Sequence, residues 1–141
     1  SVVSAIVEAS VEAVVENLVN KGFSVRQLLE FYDHHGSQGM IRSGTTTEEV
    51  VKAVIIPQTC VQPSCYMDSQ FMQDRGGGKR ARKLVSHAWK SEFLNTVISI
   101  IADVANWPEE KFHHGLNRYA KNGMLEAKRL LSDLNEEQLS Q

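Results

Sequence analysis

At 141 residues, with 42% hydrophobic and 23% charged residues, the chain has the length and composition of one globular domain with a real core, which argues against a disordered protein or a repeat array. A net charge of −2 and a pI near 6.2 leave no global basic field and argue against a duplex nucleic-acid binder. No run of about 18 uncharged apolar residues marks a membrane span, and a start at Ser1 rather than Met fits a processed or trimmed piece.

Residues 2–20 read as a helix. Ser4, Glu8, Glu12, Glu16 and Asn20 recur every four residues and wind slowly over one face, while nearly everything else is Val, Ile, Ala or Leu. The period outweighs the strand propensity of the valines, and Gly22 is placed to end the helix as a left-handed cap. Ser24 is a good N-cap for a second helix through about residue 35, with Val25, Leu28, Leu29 and Tyr32 on its buried face. Gly36 and Gly39 open a loop. Thr45 and Thr46, each with a Glu three residues on, carry a capping-box signature; a third helix should run to Ile56 and stop at Pro57.

Residues 57–83 hold Pro57, Pro63, the glycines Gly76 to Gly78 and the basic cluster Lys79, Arg80, Arg82 and Lys83. This composition predicts a long, irregular, mobile segment that either carries function or rests on a partner. Leu84 to Trp89 is an apolar run that fits a short strand or the start of a helix. Residues 91–106 are a clear helix, with Phe93, Leu94, Val97, Ile98, Ile100, Ile101 and Val104 inward and Val97, Ile98 and Ile101 at the core centre. Pro108, with Glu109 and Glu110 behind it, suits the first turn of a further helix ending near Gly123. Residues 124–134 read as an amphipathic helix burying Leu125, Leu130, Leu131 and Leu134, and the polar tail from Asn135 should fray.

No chemistry-bearing constellation is complete. Asp33-His34-His35 are neighbours that a helix points about 100° apart, so they do not chelate one ion; they read as helix-end histidines favoured by the dipole. His113-His114 reads as a surface pair, and nothing in the spacing joins it or His87 to a metal site. Cys60 and Cys65 form a lone C-x4-C, short of a four-ligand zinc site, and read as free thiols or a small disulfide loop about Pro63. Gly76-Gly77-Gly78-Lys79-Arg80 is faintly like a phosphate loop, but Arg80 stands where a hydroxyl is needed and no good strand precedes it. Ser86 and His87 are adjacent with no G-x-S-x-G elbow, so a catalytic serine is not supported. Trp89 and Trp107 read as core anchors or contact residues.

Three ordered segments carry a resemblance. Thr45-Thr46-Thr47-Glu48-Glu49-Val50-Val51-Lys52 runs into Ile55-Ile56-Pro57; Cys65-Tyr66-Met67-Asp68 follows; then comes Leu84-Val85-Ser86-His87-Ala88-Trp89 and an apolar helix. In that order they resemble a large dinoflagellate protein family with TTT-x-x-VV-x-x-x-IIP, sYmD-like and vSHxWg elements, over roughly residues 25–106. The vSHxW stretch and its helix also look like the first βα unit of a TIR-like domain, over about 20 residues. Lys90 stands where the family often has Gly, and after Asn106 the chain turns helical where longer members continue with strands. The catalytic glutamate of a TIR-type NAD-cleaving enzyme would need a later helix in an α/β sheet for which this chain is too short. The resemblance implies a family domain reused as a protein-contact module, with an organellar photosynthetic or respiratory complex, in plastid or mitochondrion, as host.

The expected fold is therefore mainly α: a single helical domain over 1–141 with five or six helices and at most one short strand near 84–89. The expected function is a non-catalytic accessory or scaffold subunit that binds other protein subunits. No metal, cofactor or nucleic acid is expected, and no membrane span, which leaves room for peripheral association with a membrane complex. Lys79, Arg80, Arg82 and Lys83 are the expected partner-binding residues, a docking arm for an acidic surface. The rival expectation is a TIR-like or phosphate-ligand-binding remnant using Gly76, Gly77, Gly78, Lys79, Ser86 and His87.

Overall fold

The computed structural model describes residues 2–60, 64–110 and 117–141. The chain opens with α1 (Val2–Val19), and no described α1 side chain is buried. The helix ends where the Asn20 side chain donates back to the Glu16 carbonyl at 2.9 Å. Gly22 is not a left-handed cap. Its amide and carbonyl form a two-bond antiparallel bridge with Lys79, both at 2.8 Å. The backbones approach so closely here that a Cβ on Gly78 would collide with the Asn20 carbonyl, so glycine is needed for contact rather than for turning.

Helix α2 (Val25–Ser37) is capped by Ser24, with Gln27 closing the capping box. It buries Val25, Leu28, Leu29, Phe31 and Tyr32 on one face, as the 3.6-residue period requires. α6 (Phe93–Val104) supplies Val97, Ile98 and Ile101, each wholly buried, at the centre of one continuous hydrophobic cluster. The Tyr32 and Phe93 rings stack at 5.8 Å and tie α2 to the start of α6.

Thr46 caps the third helical stretch and Glu49 completes its capping box. The stretch runs as α3 (Thr47–Val50), a π-helical segment Val51–Ile55 and α4 (Ile56–Thr59), so it passes through Pro57 rather than stopping there. The wider π turn lies just upstream of Pro57. The proline then falls in the first turn of α4, inside one continuous helical backbone, and its absent N–H takes one bond out of the ladder at the junction of the π and α turns. Across from this stretch, Thr47 N donates to Ser91 O, Glu48 N to Trp89 O and Phe93 N to Thr45 O, lashing the starts of α3 and α6 together.

The described part of 57–83 is more ordered than its composition predicts. A 3₁₀ turn (Tyr66–Asp68) and α5 (Gln70–Gln73) bury Met67 and Met72 in the core. Residues 84–89 form no strand. The strands among the described residues are β1 (Ala120–Lys121) and β2 (Met124–Leu125), paired antiparallel with Ala120 opposite Leu125. Asn122 and Gly123 both have positive φ, the two-residue turn that favours Asn-Gly. β2 replaces the first turn of the helix expected at 124–134, which begins instead at α7 (Ala127–Asp133). The tail does not fray: Asn135 caps α8 (Glu136–Leu139), Leu139 is buried, and Glu136 pairs with Arg26 at 2.6 Å. The fold is mainly α. His113 and His114 lie outside the described residues.

Candidate functional site

Two surfaces stand out, and neither is a cleft. The first is α1. Val7, Val11, Val14 and Leu18 fall at i, i+4, i+7 and i+11, the spacing of a coiled-coil seam, and each is more than half exposed. Val3 and Val15 widen the strip, and Val7, Val11, Val14 and Val15 line a shallow apolar concavity with Ser10. Glu8, Glu12 and Glu16 lie to one side of it. Glu16 faces the rest of the chain and pairs with Arg80 at 3.1 Å, while Ala81 N donates to Val19 O at 2.7 Å. These bonds hold the last turns of α1 and leave the apolar strip uncovered.

The second surface is the segment 79–91, every residue of which is exposed. Its glycine-rich approach is not a phosphate cradle. Gly76 N donates to Gln73 O, Gly77 N to Met72 O and Lys79 N to Gly22 O, so three of the four amides from Gly76 to Lys79 are turned inward. Gly77 is itself buried, and its carbonyl accepts from the Gln27 side chain at 2.7 Å. The positive φ of Gly76 and Gly77 serves to close the end of α5.

Of the four expected partner-binding cations, Arg80 and Lys83 already have intramolecular carboxylates: Glu16, and Asp103 on α6 at 2.6 Å. Lys79 leans back to the Gly76 carbonyl at 3.5 Å, and among the described residues Arg82 has no ion pair or side-chain hydrogen bond. All these pairs are well exposed and contribute little to stability. Ser86 and His87 share no hydrogen bond; the His87 ring packs instead near Trp89, 5.7 Å between centroids. Trp89 is 54% exposed and Leu84 98%. Trp107 is the partly buried one of the two tryptophans, stacked on Tyr119 at 5.9 Å.

The histidine pair at the end of α2 divides. His35 is buried, hydrogen-bonded through Nε2 to the Tyr66 hydroxyl at 3.2 Å, and set against Phe31. Burial, reinforced by His34 and Arg75, lowers its pKa to about 4, so it is neutral and does not act as a helix-dipole cation. Burial likewise pushes the Tyr66 phenol up to about 12. Arg75 lies 3.5 Å over the Phe71 ring and pairs with Glu30 at 3.2 Å. This aromatic cluster joins α2 to the segment 66–75, and neither its location nor its burial follows from the spacing of the histidines. Among the described residues no three His, Cys, Asp or Glu side chains converge on a metal position, and Cys60 and Cys65 are free, exposed thiols. No described helix is long and apolar enough to cross a membrane. No family model matches the chain, and no curated protein or solved structure matches it significantly.

Proposed function

We propose that this chain is a non-catalytic accessory or scaffold subunit of a larger protein assembly. The observation that carries the reading is the uncovered seam of Val7, Val11, Val14 and Leu18 on α1. Large apolar side chains aligned at heptad spacing are stabilised when a second helix covers them, each by about 1.5–3 kcal/mol on full burial. A lone exposed valine needs no explanation, but a continuous strip on an otherwise ordinary surface marks a contact site. The basic residues Lys79, Arg80, Arg82 and Lys83 form a second contact, to an acidic surface. The photosynthetic or respiratory host rests on the resemblance to the dinoflagellate family alone.

The test is native mass spectrometry of the assembly isolated through the tagged full chain, with Val11→Glu/Val14→Glu beside the parent. Both positions are exposed, so the variant should keep its circular-dichroism spectrum while dropping out of the assembly. A parent chain that purifies as a stable monomer with nothing bound would sink the reading. The rival phosphate-ligand reading is not supported by a loop whose amides face inward. It would return if a nucleotide at about 100 times Kd stabilised the chain by about 2.7 kcal/mol and Lys79→Ala removed the effect.

A further inference from the structure

The acidic surface that the segment 79–91 contacts can be named from what the segment exposes. We propose that it is a peripheral membrane-binding strap, docking on an anionic lipid surface; this rests on reading the basic segment as a contact and is independent of the α1 seam. Lys79, Arg80, Arg82, Lys83 and Lys90 are five cations with no carboxylate among them. Arg82 and Lys90 have no ionic partner among the described residues, and the exposed pairs that hold Arg80 and Lys83 exchange readily for another anion.

The apolar residues decide the kind of surface. Leu84 is 98% exposed, Trp89 54% and Val85 41%, on the same short segment as the cations. A purely electrostatic docking arm for an acidic protein needs no such side chains. A bilayer interface offers negative headgroups with apolar depth directly beneath them, which matches four cations within 79–83 followed directly by Leu84 and Val85, with an amphipathic Trp89 beside Lys90. The strap is pinned at both ends. The Gly22–Lys79 bridge and the Ala81–Val19 bond hold one, and Glu48 N to Trp89 O and Thr47 N to Ser91 O hold the other. Between these ends every residue is exposed, and Lys83 reaches Asp103 on α6. α1 does not suit the same surface, because its charges are Glu8, Glu12 and Glu16.

The full chain should be sedimented with phosphatidylcholine vesicles, and with vesicles in which one third of the lipid is phosphatidylserine, at low and high salt. Binding is expected only to the anionic vesicles, weakening with salt, with a blue shift of tryptophan emission that Trp89→Phe removes. Each cation near the surface multiplies affinity about fivefold, so Arg82→Gln/Lys90→Gln should weaken binding on the order of 25-fold. Leu84→Ser should weaken it further while leaving the salt dependence in place. Equal binding to neutral and anionic vesicles, or binding indifferent to these variants, overturns the proposal. Binding to immobilised polyglutamate but not to anionic vesicles also overturns it, and assigns the strap to an acidic protein. Val11→Glu/Val14→Glu is expected to lose assembly yet bind vesicles as the parent does; loss of vesicle binding in that variant would overturn the strap's role.

Discussion

The Gln27 side-chain amide donates to the Gly77 carbonyl at 2.7 Å and to the Arg75 carbonyl at 3.1 Å, across about fifty residues of chain. The same side chain accepts from the Ser24 amide at 2.8 Å, so one buried glutamine closes the α2 capping box and holds the turn after α5. Replacing it leaves two carbonyls and a cap amide without partners. Gln27→Leu should destabilise the chain by about 3 kcal/mol, read by urea denaturation. A loss below about 0.5 kcal/mol would mean that water takes over these bonds.

His35 makes stability pH-dependent. Protonating its ring is harder in the folded chain, where its pKa is about 4, than in the unfolded chain, where it is near 6.5. The unfolded state therefore binds more protons between these values. Stability is fully present above pH 6.5 and is lost as pH falls toward 4, by about 3 kcal/mol in all. His34 and Arg75, both close to the ring, oppose its charging further. The difference in unfolding free energy between the parent and His35→Phe should rise with pH across this window and be flat above it. A difference that does not vary with pH would rule out His35 as the titrating group.

The C-terminal turn is a structural element and not a loose end. Leu139 is buried and Asn135 caps the turn that carries it, with Gln138 N donating to Asn135 Oδ1 at 2.8 Å. Leu139→Ala should destabilise the chain by about 2 kcal/mol. Glu136→Gln, which touches only the exposed pair with Arg26, should change stability by less than about 0.5 kcal/mol. Equal effects of the two substitutions in thermal denaturation would contradict this packing.

The Lys83–Asp103 pair, though 2.6 Å long, joins two exposed side chains. Lys83→Gln should leave the unfolding free energy within about 0.5 kcal/mol of the parent, with little dependence on salt. A larger loss would show that the strap is anchored to α6 by this pair and not by its backbone bonds.

The helices that carry the core were legible in the residue pattern because their signals are local. Ser24 and Thr46 are N-caps, each accepting from the amide three residues on, and Val97, Ile98 and Ile101 lie on one helical face whatever they pack against. The Asn122-Gly123 turn is equally local, yet the pattern around it reads as two helices meeting near Gly123, and the hairpin emerges only in the structure. Other features depend on which segments meet. Gly22 and Gly78 are required because two backbones touch, and His35 is neutral because Tyr66 and Phe71 come to it from another segment. The polar tail is ordered because Leu139 finds the core. The exposure of the α1 seam and of Leu84 and Trp89 belongs to the same class. An apolar side chain has the same hydrophobicity in the sequence whether or not a neighbour covers it, and only the tertiary structure decides which ones stay uncovered.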